Sequence, residues 1–310
     1  MASKIVILGT GGTIAGTAAR ADDAVGYSAA QIGIGHLVAA VPALRRSNDD
    51  GDLECEQIAQ LDSKDMDFMT WQALAARAAH HLARADVAGV VVTHGTDTLE
   101  ETAYFLHRVL APFKPLVLTA AMRPATSIAA DGPQNLYDAV MTARDAAARG
   151  VLVTFAGRVW AGAEVRKTHS YRTDAFAAGD AGALATVEEG ALRWWREAPR
   201  GDALGLAHIA RDAAQWPRIE IVISHAAANG LLVDALVAQG VRGIVAAGTG
   251  NGTLHRDLEA ALLRAQAAGV QVLRSTRCAA GPVIGSALLR SAGALSPLQA
   301  RVELMLRLLA

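Results

Sequence analysis

The chain has 310 residues, a formal net charge of −1 and a pI near 6.8, values that give no electrostatic case for binding nucleic acid or an anionic membrane surface. Apolar residues make up 52% of it and aromatic ones 5%, so the composition suits alanine-rich helices packed on a sheet, and the length allows two domains. No segment approaches the ~20 apolar residues of a membrane span, no apolar leader precedes the first strand, and Cys55 and Cys278 lack CxxC spacing, so a reducing, cytoplasmic setting is expected.

Ile5, Val6, Ile7 and Leu8 form a continuous apolar run, the pattern of a strand buried on both faces of a parallel sheet. Gly9, Gly11 and Gly12 follow, with Thr10 and Thr13 flanking the glycine pair, which predicts a tight turn where backbone approaches a neighbour closely. Residues 17–33, small and polar around Tyr27, predict a mobile loop. Helical spacing near 34–41 precedes a short strand, 53–58, that ends at Asp62, Ser63 and Lys64. A helix over 70–84 leads to a second buried strand, 89–93, which runs into His94, Gly95, Thr96, Asp97 and Thr98. Glu100 and Glu101 open the next helix, where the helix dipole favours acids. A strand at 116–120, a loop at 122–130, a helix over 131–149 and a strand at 151–155 follow.

This alternation predicts the α/β class with a doubly wound, mostly parallel sheet. From Arg158 the rhythm changes to hairpin-like pieces at 163–168, 184–188 and 192–195. Residues 197–217, with Pro199, Gly201, Gly205 and Pro217, read as a linker between an N-terminal catalytic α/β domain, 1–196, and a smaller C-terminal α/β domain, 218–310. In the smaller domain, strands at 219–224, 243–246 and 270–274 alternate with helices at 230–239, 254–268 and 297–309.

Two turns carry chemistry. The first is no phosphate cradle: Ile14 stands where GxGxxG requires glycine. Its backbone N–H groups suit a carboxylate or an oxyanion instead. Thr13 is then either a nucleophile or the N-cap of the next helix. In the second turn, capping accounts for Asp97 or Thr98 but not for the whole string from His94 to Thr98. Lys167, one of four lysines, sits in a strand-like stretch and is either a base or an ordinary surface lysine. Ser63 either binds a carboxylate or caps the helix that follows. The nine histidines show no metal spacing, so no metal is expected.

The segments from Thr10 to Gly16 and from Thr93 to Thr102 resemble the two signature motifs of bacterial-type L-asparaginases. The resemblance continues through Ala120 to Pro124, Ser127, Asp131 to Leu136, Lys167 and Thr168, Gly248 to Gly252, and Leu295 to Pro297 with Ala300 and Arg301. It implies a two-domain asparaginase-like fold, larger at the N-terminus, and hydrolysis of L-asparagine to L-aspartate and ammonia without a cofactor. It also implies a homotetramer, a dimer of intimate dimers with shared active sites. By motif, Thr13 is the nucleophile, Tyr27 its partner on a lid, and Thr96, Asp97 and Lys167 the second catalytic cluster. Gly12, Asp62, Ser63, Lys64 and Gly95 then line the substrate site, and Asn251 reaches it from a neighbouring subunit. Two departures stand out. Lys64 occupies a position commonly held by Gln, and residues 278–291 contain no Asp or Glu. Both remove contacts on the ammonium or lid side, so a looser site, a higher KM and low glutaminase activity are expected. Other readings are a glutaminase-asparaginase, an amidotransferase subunit or a non-catalytic amino-acid-binding module.

Overall fold

The computed structural model describes residues 4–23, 25–46, 52–285 and 288–309, without the side chains of residues 45 and 46. Residue 24 of the expected lid and residues 286 and 287 of the acid-free loop lie outside the described residues. Two compact units divide at Leu206 and Ala207.

The first unit begins with β1 (Lys4–Gly11), a short ladder of β2 (Thr17–Ala18) and β3 (Tyr27–Ser28), helices α1 (Ile34–Ala39) and α2 (Pro42–Arg46), and β4 (Leu53–Leu61). Then come α3 (Phe68–Ala83), β5 (Val87–Thr93), α4 (Leu99–Leu110), β6 (Leu116–Thr119), α5 (Gly132–Arg144) and β7 (Val151–Phe155). Five short strands follow: β8 (Arg158–Ala161), β9 (Arg166–Lys167), β10 (Phe176–Ala177), β11 (Ala185–Glu188) and β12 (Ala191–Trp194). Eight strands make one sheet in the order β12-β11-β8-β7-β6-β5-β1-β4. The pairs from β4 through β7 are parallel; β8, β11 and β12 extend the sheet antiparallel.

Ile5, Val6, Ile7 and Leu8 are all fully buried, as are Val90, Val91 and Val92 on the neighbouring strand. Each such side chain contributes roughly 1.5–3 kcal/mol on transfer from water, which keeps these two strands inside the sheet, each paired on both edges. Their register is the key to the site. Leu8 pairs with Val92 and Gly9 with Thr93, in parallel, so the two motif turns leave the sheet side by side at its carboxyl edge, where open α/β sheets bind ligands.

The details differ from the sequence expectation in several places. Within 17–33 the chain forms the β2–β3 ladder, pairing Ala18 with Tyr27. Helix α5 stops at Arg144 rather than 149, because Asp145 is extended and its carboxylate accepts the N–H of Ala147 in a tight turn. The first strand after α2 runs on to Leu61. The expected linker contains 3₁₀ turns at Leu206–Ile209 and Ala213–Gln215.

The second unit has β13 (Ile219–Ile223), α6 (Leu231–Ala238), β14 (Gly243–Gly248), α7 (Arg256–Ala267), β15 (Gln271–Thr276), β16 (Arg290–Ser291) and α8 (Pro297–Leu308). Its four strands are parallel, in sequence order. Helix α8 starts with a full capping box: Ser296 accepts from Gln299 N, and the Gln299 side chain accepts from Ser296 N. Among the described residues, no helix is long and apolar enough to cross a membrane.

Candidate active site

The two turns abut through glycine. A Cβ on Gly12 would lie 2.4 Å from the Cα and N of Gly95, and one on Gly95 would lie 2.4 Å from Ser63 Oγ. No side chain larger than hydrogen fits either place, and Gly12 also holds φ +80°. Thr10 adds a tie between the strands, its hydroxyl donating to Thr93 O at 2.9 Å.

Gly12 occupies the N-cap position of the 3₁₀ turn Thr13–Ala15, which has no side-chain cap. Thr13 therefore has no capping duty. The residue is 7% exposed, and its hydroxyl lies 2.6 Å from the Tyr27 hydroxyl. The second cluster is tied by Lys167, whose Nζ donates to Thr96 Oγ1 at 2.9 Å and to Asp97 Oδ1 at 2.6 Å. The Lys167 side chain is 18% exposed, which sets aside the surface-lysine alternative. Asp97 does not cap α4 either; Thr98 holds that position, without a side-chain cap bond. Because Thr96 accepts from Lys167, its own hydroxyl hydrogen remains available to a third group.

Ser63 is buried and does not cap α3, a task that Asp67 performs by accepting from Thr70 N. Ser63 Oγ accepts from Asp97 N at 3.2 Å, and Ser63 O accepts from the Thr98 hydroxyl at 2.8 Å. Asp62 caps the turn Ser63–Asp65, and its other oxygen takes the Lys64 ammonium at 2.8 Å. That carboxylate raises the Lys64 pKa further above its ordinary value. Asn251 belongs to the second unit, where its side chain is engaged at both ends: Nδ2 donates to Ile284 O at 3.0 Å and Oδ1 accepts from Ile284 N at 2.9 Å.

Several supporting residues have partners that the sequence pattern does not give. His94 is fully buried, and desolvation lowers its pKa to about 4, so it stays neutral at ordinary pH. Its tautomer follows from its neighbours. Gly95 O, 2.7 Å from Nδ1, can only accept, so Nδ1 carries the proton. Nε2 is then the acceptor and takes the Thr102 hydroxyl hydrogen at 3.0 Å, while Thr102 accepts from the Trp71 indole at 2.8 Å. This relay holds the Gly95 peptide from beneath. Asp131 does similar work elsewhere, accepting from the N–H groups of Met122 and Arg123 at 3.0 and 2.9 Å. Glu100, 5% exposed, accepts from Lys167 N at 2.7 Å; burial pushes its pKa up to about 7. Among the described residues, no group of three or more His, Cys, Asp or Glu side chains could hold a metal ion.

Fold and side chains together define a two-unit α/β protein with hydroxyl, ammonium and carboxylate groups gathered at the carboxyl edge of the parallel strands of one mixed sheet. The chain belongs to the asparaginase family: residues 4–200 match the family model "Asparaginase, N-terminal", and residues 218–310 match "Glutaminase/Asparaginase C-terminal domain". It is 38% identical to L-asparaginase 2 of Escherichia coli, the match covering 98% of this chain and 88% of that protein. It is also 38% identical to the glutaminase-asparaginase of Pseudomonas fluorescens biotype A, over 90% of this chain and 76% of that one. The crystal structure of a probable cytoplasmic L-asparaginase from Campylobacter jejuni matches with a TM-score of 0.91 at 38% identity, covering 99% of this chain and 95% of the other.

Proposed function

We propose that this chain is an L-asparaginase that hydrolyses the side-chain amide of L-asparagine to L-aspartate and ammonia, with Thr13 as nucleophile. The observation that carries this reading is the Thr13–Tyr27 hydroxyl pair at 2.6 Å, at a turn that the Thr13 side chain does not cap. A threonine hydroxyl attacks an amide only if a neighbour removes its proton. Tyr27 is the group in direct contact, and it passes that proton toward the leaving nitrogen. Thr13 Oγ bonds to the amide carbon, the C–N bond breaks, and ammonia leaves with the proton. Water then attacks the ester, the C–O bond to Thr13 breaks, and Thr13 regains its hydrogen. The turn N–H groups take the oxyanion in both halves.

Thr96, with Lys167 and Asp97 behind it, orients the attacking water, whose proton passes to Thr13 Oγ through Tyr27. The Asp97 carboxylate also faces the substrate ammonium, and Ser63 the substrate carboxylate. Water is the only co-reactant needed. Ammonia release from L-asparagine tests the reading directly: Thr13→Ala abolishes it, and substantial residual turnover defeats the assignment.

The family relationship also supports a homotetramer in which a neighbouring subunit supplies Asn251, which sedimentation tests. Low glutaminase activity is part of the proposal, because Lys64 and the acid-free loop remove ammonium-side contacts. The similarity to a glutaminase-asparaginase supports the second reading, and equal kcat/KM on glutamine and asparagine would select it. Both thiols are free and exposed, which supports a cytoplasmic setting.

A further inference from the structure

Lys167 lies on β9, which among the described residues pairs along one edge only, with β10. The N–H of Thr168 points toward β10, donating to Ala175 O at 2.8 Å. Successive N–H groups of an extended strand point to opposite sides, so the N–H of Lys167 is turned away from β10. A neighbouring strand would normally accept it. Here a side chain does: Glu100 Oε2 takes it at 2.7 Å, from the first turn of α4. Glu100 follows Thr96 and Asp97 in the same short segment. One segment thus grips Lys167 at both ends, its backbone through Glu100 and its ammonium through Thr96 and Asp97.

We infer that Glu100 is a positioning residue, whose buried carboxylate stands in for a missing strand and so sets the reach of Lys167 Nζ to Thr96. The inference rests on the reading of Lys167 and Thr96 given above. Glu100 lies beneath the site and is shielded from solvent, so its effect falls on the chemical step and not on substrate binding. A shift of about 1 Å in a catalytic group costs up to about 10²-fold in rate.

The test compares four variants by ammonia release from asparagine, with circular dichroism to confirm folding. Glu100→Ala removes the acceptor and is expected to lower kcat about 10- to 100-fold while KM stays within about threefold. Glu100→Gln keeps an acceptor oxygen at the same reach and is expected to restore kcat to within about threefold of wild type. Glu100→Asp keeps the charge but shortens the reach, and is expected to behave like Glu100→Ala. Should Glu100→Ala fail to fold, the order of Gln above Asp in kcat decides. An Asp variant at wild-type kcat, or a folded Gln variant as slow as Asp, overturns the inference. Lys167→Met separates the two levels. If it leaves turnover intact, the reading of Lys167 fails. If it abolishes turnover while Glu100→Ala keeps wild-type kcat, only the positioning role fails.

Discussion

Gly12 packs so closely on Gly95 that a Cβ on the former would lie 2.4 Å from the Cα of the latter. Real Cβ atoms essentially never approach other atoms under 3.0 Å, so adding one pushes the two turns apart. The atoms displaced are backbone, which cannot rotate out of the way. Gly12→Ala is therefore expected to lower kcat/KM at least about 10²-fold. It should also destabilise the protein by about 1–3 kcal/mol, since φ +80° is added strain for alanine. Gly95→Ala meets mainly the Ser63 side chain, so it should raise KM more than it lowers kcat. Steady-state kinetics and thermal unfolding of the two variants check this ordering.

The Thr102 hydroxyl sits in the middle of a buried chain from Trp71 to His94 to Gly95 O. Thr102→Val conserves shape but orphans the Trp71 N–H and the His94 Nε2. Each orphaned group costs about 1–3 kcal/mol. Urea denaturation should show a loss of that order, with the second turn loosened and kcat reduced. Since neutral His94 has no path to solvent, the pH profile of kcat should keep its shape in this variant. A new ionisation near pH 6–7 would refute the structural role assigned to His94.

Much of this arrangement was legible before any coordinates. The fully apolar runs at Ile5 to Leu8 and Val90 to Val92 predict buried parallel strands, and parallel neighbours must deliver their following turns to the same edge. The three hairpin-like pieces are harder. Those at 184–188 and 192–195 correspond to β11 and β12, which continue the main sheet, whereas 163–168 holds β9, which pairs with β10 apart from it, and β8 at 158–161 falls outside all three; strand pairing is long-range, so short strands carry no sign of their partners. Glu100 was read only as an acid favoured by the helix dipole. Its real partner is 67 residues away, and a carboxylate bound to a distant backbone N–H leaves no periodic trace. Asp131 is legible as a helix start, yet its carboxylate caps no helix N–H and instead takes the N–H groups of Met122 and Arg123 and the side-chain amide of Asn135.

Lys64 is exposed at the tip and paired with Asp62 at 2.8 Å. The pair occupies one oxygen of the Asp62 carboxylate. Replacing Lys64 by Gln, the residue common at this position in the family, frees Asp62 and restores an acceptor for the substrate ammonium. The expected result is a KM for asparagine lower by about three- to tenfold, with kcat nearly unchanged, as for a contact made equally in ground and transition states. Turnover of glutamine should rise in parallel. An unchanged KM would mean that neighbouring groups already compensate.

Asp138 on α5 is 3% exposed, and one of its oxygens accepts from Gln134 Nε2 at 2.8 Å. Desolvation raises its pKa from 3.8 to about 6. The folded state thus holds this proton more tightly than the unfolded chain does. Stability from this group is fully present below pH 4, falls as pH rises from about 4 to 6, and is level above that. A shift of this size corresponds to roughly 3 kcal/mol. Asp138→Asn keeps the acceptor for Gln134 but carries no charge. Its Tm should match that of wild type near pH 4 and exceed it by several degrees at pH 8, with the gap opening between those limits. A constant gap at every pH would show that packing, and not ionisation, separates the two proteins.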